Sequence, residues 1–212
     1  MKRTNKQGQA LGRKGEESRR KLMDAVLSLL ATEPVHKLSA SRIARAASMA
    51  SQSFYLYFKD IDEILCVLAE EAAADVDELV ALLRSASQST APETLSRNLI
   101  DAHAAYWDRH RSILSARNYI ADSGNRTFLR LRQEATMPVV YAMADRIQAA
   151  QPDRLTRAAS VSRAVVIYLA MERLAARSNA TQYKAEDADK DDLRQGEIDI
   201  LSLLFTPAAG PA

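Results

Sequence analysis

The 212 residues predict an all-α protein of about nine helices, with a small three-helix unit at the N-terminus ahead of a larger helical domain. Three observations predict it. Glycine nearly vanishes from the interior, where only Gly124 and Gly196 lie between Gly15 and Pro207; hairpin sheets need turn glycines every eight to twelve residues or so. Apolar residues recur at i, i+3 or i+4 along most of the chain, the spacing of one helix face. Apolar residues make up 47% and charged residues 26%, enough of both to bury a core and solvate a surface.

The first helix is expected over Glu16–Thr32, where Leu22, Val26, Leu29 and Leu30 form one stripe and Pro34 ends it. Ser39 is a good N-cap for a short second helix that buries Ile43, Ala44 and Ala47. A three-residue break, Ser48 to Ala50, leads to a third short helix over Ser51–Tyr57. Asp60 then caps a long helix over 61–86. Further helices are expected at 92–108, 110–122, 125–150, 154–178 and 192–205, with Pro138 kinking the fourth of these six longer helices. The domains follow as 15–60 and 61–206, with disordered tails at 1–14 and 207–212 and a polar, acidic loop between Ser178 and Asp192.

Charge is unevenly placed. Residues 1–60 carry 12 Lys and Arg against 5 Asp and Glu, or +7, while residues 61–212 carry 17 against 22, or −5. A basic first quarter suits a surface that neutralises phosphates and releases their counterions, and it equally suits a solvated basic segment. Two short helices across a three-residue turn have helix-turn-helix proportions, in which the second helix enters the major groove.

The segment Leu38–Leu65, LSASRIARAASMASQSFYLYFKDIDEIL, resembles the DNA-binding domain of the TetR family of transcriptional regulators. The resemblance rests on Leu38-Ser39 opening the second helix, Ile43-Ala44 packing it, the ending Tyr55-Leu56-Tyr57-Phe58, and the apolar start Ile64-Leu65 of the next helix. It implies a homodimer on a palindromic double-stranded DNA operator, most simply a repressor released by a small-molecule effector. Ser39, Ser41 and Arg42 then approach phosphates from the second helix. Ser51, Gln52 and Ser53 meet base edges, Gln52 suiting adenine. Tyr55, Tyr57 and Lys59 hold the backbone, although packing is the other reading of both tyrosines. Phe54 and Phe58 belong to the core. Three positions depart from the family pattern: Ser48 stands where glycine is usual in the turn, Ala50 where Ser or Thr caps the recognition helix, leaving Ser51 to cap instead, and Ile61 where a lysine is common. The basic tail, with Lys2, Arg3, Lys6, Arg13 and Lys14, offers replacement charge along a flanking minor groove.

Association is expected through the last two helices. The run Ala164–Met171 is apolar on every side, and Ile198, Leu201, Leu204 and Phe205 form a stripe, together enough for a four-helix bundle between two copies. Burial of both helices inside one subunit is the other reading. The larger domain offers His103, Tyr106, Trp107, Asn118, Tyr119, Met137, Tyr141, Tyr168 and Met171 as ligand-pocket candidates, residue types that also build ordinary cores. Arg109, Arg111, Arg117, Arg126, Arg130 and Arg132 offer charge to an anionic head.

The three histidines, His36, His103 and His110, and the single cysteine, Cys66, form no HExxH or zinc spacing, and GxGxxG, GxxxxGK[ST] and GxSxG are absent. The reading is therefore a non-enzyme without metal or cofactor, in a reducing cytoplasm. No apolar run approaches the roughly 20 residues of a membrane span. The competing reading is a helical dimeric ligand-binding or adaptor protein whose helix-turn-helix no longer reads DNA.

Overall fold

A computed structural model describes residues 12–87, 89–177 and 189–207. Among them there are nine α-helices, one 3₁₀ turn and no strand. The helices are α1 (Arg13–Leu30), α2 (Ala40–Ala46), α3 (Ser51–Tyr57), α4 (Ile61–Ala74), α5 (Val76–Ser85), α6 (Pro92–Asp122), α7 (Arg126–Ala150), α8 (Arg157–Arg177) and α9 (Lys190–Phe205). The chain divides into two compact units. One joins Met1–Ala72 with His110–Arg132; the other joins Ala73–Arg109 with Gln133–Ala212. The division thus falls inside α6 and α7 rather than only between successive segments.

Two boundaries differ from expectation. The helix expected over 61–86 is two helices that part at Asp75, whose carboxylate accepts a 2.8 Å hydrogen bond from Arg109. The separate helices expected at 92–108 and 110–122 are one helix, α6. The junction between the two expected helices, Asp108–Arg111, contains neither glycine nor proline, so the helix continues through it. At the N-terminus, α1 begins at Arg13, so Arg13 and Lys14 belong to its first turn. The rest of the expected tail, residues 1–11, lies outside the described residues, as do 178–188 of the expected loop and 208–212 of the C-terminal tail. From Asp189 the chain is already committed to α9. The Asp189 carboxylate accepts from the backbone N–H groups of Asp191 and Asp192, and Asp192 returns a bond to the Asp189 N–H, closing a capping box. Those N–H donors, Asp192 first and Asp191 second, hold the Asp189 carboxyl below its ordinary range.

In the first unit, Leu22, Met23, Val26, Ile43, Ala44, Phe54, Phe58, Ile64 and Leu65 are buried together. The Phe54 and Phe58 rings pack at a tilt of 39° with centroids 5.9 Å apart, and the Arg19 guanidinium sits 4.8 Å above the Phe58 ring. In the second unit, Leu79, Leu83, Leu99, Trp107, Val139, Met143, Ile147, Ala164, Ile198 and Leu201 form the core. α7 runs through Pro138 without interruption.

Two helix ends close by the same device. After α2, the Met49 N–H bonds the Ala44 carbonyl at 2.8 Å and the Ser48 N–H bonds Arg45 at 3.0 Å. After α6, the Asn125 N–H bonds Ile120 at 3.3 Å and the Gly124 N–H bonds Ala121 at 3.0 Å. Both are Schellman motifs, which require a left-handed residue at the turn. Gly124 supplies it at φ 94°, whereas Ser48 is forced there at φ 56°. A β-carbon disfavours that conformation by about 1–2 kcal/mol. The two sites therefore respond oppositely to substitution. Ser48→Gly should raise unfolding stability by about 1 kcal/mol. Gly124→Ala should lower it by about 1 kcal/mol through conformation alone, since an added Cβ there meets nothing within 4 Å. Equilibrium urea denaturation of both variants checks the signs.

Candidate DNA-reading surface and ligand cavity

The first site is built on α2 and α3, which pack on each other, with α2 also against α1. Ser39 caps α2 as expected, its hydroxyl accepting from the Arg42 N–H at 3.3 Å and lying 3.2 Å from Ser41 Oγ. Asp60 caps α4 through a 2.9 Å bond from the Glu63 N–H. Ser51 does not take over the cap of α3. The N-cap is Ala50, no side chain satisfies the orphan N–H groups there, and Ser51 is already the first helical residue.

Burying Phe54 and Phe58 turns the opposite face of α3 outward. Ser51, Gln52 and Tyr55, at i, i+1 and i+4, are exposed along it, with Tyr55 at 53% and Leu56 beside it at 56%. Ser53 and Tyr57 are half-buried on its flanks. Leu56 was not among the predicted contacts; its outward position is set by the two phenylalanines that flank it at i−2 and i+2. On α2, Ser41 and Arg45 are exposed and line a shallow concavity with Ser48, Met49, Ala50 and Ser51. Arg42 is otherwise engaged: one guanidinium nitrogen bonds both Glu33 carboxylate oxygens at 2.5 and 2.6 Å, and the other bonds the Lys37 carbonyl. The Lys59 side chain is exposed and lies 3.7 Å from Asp60.

The second site lies in the other unit. A cavity of about 160 Å³ opens where three helices each present residues at helical spacing. α6 brings Ile100, His103 and Ala104. α8 brings Met171, Leu174, Ala175 and Arg177. α9 brings Lys190, Leu193, Arg194 and Glu197. The walls are mainly apolar. His103 is 2% exposed and stands edge-on to Tyr168, ring centroids 5.4 Å apart at 77°. Its Nε2 is buried with no hydrogen-bond partner among the described residues. Burial pushes the imidazole down to about 4, so it is neutral at physiological pH. Burial also pushes the Glu197 carboxyl up to about 7, against the opposing pull of Arg194. Arg194 is itself paired with Asp101.

Of the nine predicted ligand contacts, His103 and Met171 line this cavity. Tyr106, Trp107 and Tyr168 are buried in the core of the same unit, and Met137 is half-buried there. Tyr141 is exposed, while Asn118 and Tyr119 belong to the first unit, Tyr119 on its surface. The arginines proposed for an anionic head are elsewhere: Arg109 pairs with Asp75, Arg132 with Asp122, and Arg117 is buried in the first unit. The missed residues Lys190, Leu193, Arg194 and Glu197 fall at i, i+3, i+4 and i+7, a legible stripe once α9 starts at Lys190 rather than at Asp192. Cys66 offers no nucleophile, because burial first and the carboxylates of Asp62, Glu70, Asp60 and Glu63 after it push its thiol up to about 11.

On α8 and α9, part of the stripe expected to face a second copy is internal. Ile198, Leu201 and Phe205 are buried within the subunit. Left outside are Val166 (69% exposed) and Leu169, both from the expected run on α8, together with Ile200 and Leu203 (71%) on α9. The run 164–171 is thus apolar on both faces, with Ala164, Ile167, Tyr168 and Met171 inward. No described helix is long and apolar enough to cross a membrane.

Comparison with known proteins covers most of the chain. Residues 22–66 match the family described as bacterial regulatory proteins, tetR family, and residues 84–208 match the tetracyclin repressor-like C-terminal domain. Among solved structures, a TetR-like transcriptional regulator from Rhodococcus sp. RHA1 is 16% identical with a TM-score of 0.65, over 90% of this chain and 96% of that one. Thermus thermophilus FadR, a TetR-family repressor in complex with lauroyl-CoA, is 18% identical with a TM-score of 0.56, over 92% and 98%. Bacillus subtilis FadR in complex with stearoyl-CoA is 16% identical with a TM-score of 0.62, over 90% and 99%. At these identities the likeness is one of fold.

The two shifted groups give opposite pH slopes. His103 has a depressed native pKa, so its contribution is present above about 6.5 and is lost as pH falls toward about 4. Glu197 has a raised native pKa, so its contribution is present below about 4.5 and is lost as pH rises through about 7. Thermal melts from pH 4.5 to 8 should therefore show His103→Phe gaining on the parent toward the acid end and Glu197→Gln gaining toward the alkaline end. Parallel melting curves for parent and variants would refute both assignments.

Proposed function

Since this chain belongs to the TetR family of bacterial transcriptional regulators, we propose that it is a ligand-responsive repressor that binds a palindromic operator as a homodimer. The outward face of α3 carries the reading. A helix seven residues long, packed on α2, presents Ser51, Gln52 and Tyr55 to solvent while Phe54 and the following Phe58 are buried. That division suits a helix laid in a major groove, with Gln52 toward base edges and Tyr55, Ser41 and Lys59 toward phosphates. Ser39 supports the start of α2, Ser53 and Tyr57 flank the reading face, and Arg42 acts by bracing the loop through Glu33.

The homodimer forms through α8 and α9, by the exposed side chains Val166, Leu169, Ile200 and Leu203. Isolated apolar side chains are ordinary on a surface, but four on neighbouring elements of one unit suit a covered face. Two recognition helices must then match half-sites about 34–36 Å apart. An effector bound in the second unit releases DNA by favouring the conformer whose spacing does not match. The cavity supports an amphipathic effector, and the acyl-CoA complexes of two similarly folded regulators make acyl-CoA one class to test. The setting is the cytoplasm, and neither catalysis nor a cofactor enters.

Fluorescence anisotropy on DNA from upstream of the chain's own gene should show saturable, sequence-specific binding at moderate salt. Equal affinity for scrambled DNA would favour the adaptor reading instead. Gln52→Ala should weaken specific binding by about ten-fold and relax one operator position, with nonspecific binding unchanged. The double variant Val166→Glu, Leu203→Glu should sediment as a monomer and lose operator binding; a dimer at the same concentration would place the interface elsewhere.

A further inference from the structure

We propose that Leu56 is a specificity-determining residue that meets the C5-methyl group of a thymine in the major groove, within about two base pairs of the base that Gln52 contacts. The inference deepens the DNA-binding reading and rests on it.

The first support is direction. At about 100° per residue, the positions two before and two after a helical residue each lie about 160° round the axis from it. Phe54 is fully buried, so the two residues of α3 that point most directly away from the core are Gln52 and Leu56. Both are exposed, Leu56 at 56%. Phe58 turns inward two residues further on, so Leu56 is held outward from both sides. Tyr55, about 100° from Phe54, stands to the flank of this direction.

The second is chemistry. The other exposed residues of α3 are Ser51, Gln52 and Tyr55, and each can form hydrogen bonds. A single exposed leucine is ordinary on a protein surface, but this one stands in the middle of the face that is laid against DNA. Base edges in the major groove present donors and acceptors, and the thymine methyl is the apolar group among them. Over a thymine, leucine and methyl shed water from two apolar surfaces at once. Over a cytosine the same side chain covers the N4 donor, and over a purine the N7 acceptor, and it replaces none of the water bonds those atoms lose. Leu56 therefore selects thymine by attraction and disfavours the other bases by exclusion.

The third is register. Gln52 and Leu56 stand four residues apart, as neighbours on one side of the helix, and about 6 Å apart along its axis. Long helical side chains lean back toward the N-terminus, which carries the tip of Leu56 over the turn that holds Gln52. Stacked bases rise about 3.4 Å per step, so the two side chains reach neighbouring base pairs of one half-site.

Selection of bound duplexes from a pool with a randomised core, using the full chain, supplies the DNA for the test. Each thymine of the selected duplex is then replaced singly by deoxyuridine, which pairs in the same way and lacks only the methyl, and affinity is measured by fluorescence anisotropy. Replacement at one thymine in each half-site should weaken binding about four-fold, the worth of one buried methyl group. Leu56→Ala should abolish that penalty, and selection with this variant should lose the preference for thymine at the same position. Alanine is the best helix former and the site is exposed, so the variant keeps its fold. The comparison of thymine with deoxyuridine on the unsubstituted chain needs no variant. A selected duplex in which no replacement by deoxyuridine matters overturns the proposal while sequence-specific binding stands, and so does a penalty that survives Leu56→Ala. Failure to enrich any sequence removes the DNA-binding reading itself, and the Leu56 assignment with it.

Discussion

The DNA-reading surface depends on one backbone closure, the pair of hydrogen bonds from Met49 and Ser48 back to Ala44 and Arg45. They stop α2, reverse the chain in three residues and set the direction in which α3 leaves. The burial of Phe54 and Phe58, and with it the exposure of Ser51, Gln52 and Tyr55, holds only if α3 leaves at that angle. Closing the turn requires a left-handed residue, and the chain meets the requirement with serine. The strain is tolerated because the closure satisfies two carbonyls at the end of α2, and because the aromatic core beneath α3 is disrupted if the turn opens.

The local grammar of the first unit was legible in the sequence because each of its signals acts within a few residues. Ser39 and Asp60 cap the helices they precede, Ile43 and Ala44 pack, and Phe54 and Phe58 go inward. Ser48 stands where glycine is usual, and its left-handed backbone was legible as a cost from that alone. Ser51 failed as a cap because the backbone enters the helix one residue earlier, a difference below what side-chain preference resolves.

What escaped the sequence is what tertiary partners decide. The parting of α4 from α5 at Asp75 coincides with a bond from Arg109, distant in the chain. The continuity of α6 through Asp108–Arg111 reflects charges that solvent and partners accept without a turn. Of the cavity only His103 and Met171 were legible, named for their chemistry, while Tyr119 and Tyr141 were named for the same reason and stand on the surface. Composition separates candidates from non-candidates, but only the meeting of α6, α8 and α9 separates a lining residue from a core one. The stripe on α9 was hidden by a two-residue error in its start, which moved Lys190 off the helix.

The apolar side chains left outward on α8 and α9 have a consequence for gene dosage. Two copies must meet before either recognition helix has a partner on the operator. Where single chains predominate, operator occupancy rises with the square of their concentration rather than in proportion to it. In the dimer proposed above, the hydrophobicity of Val166, Leu169, Ile200 and Leu203 then sets how sharply control over a regulated gene responds to the amount of the protein made, independently of how well α3 reads its site.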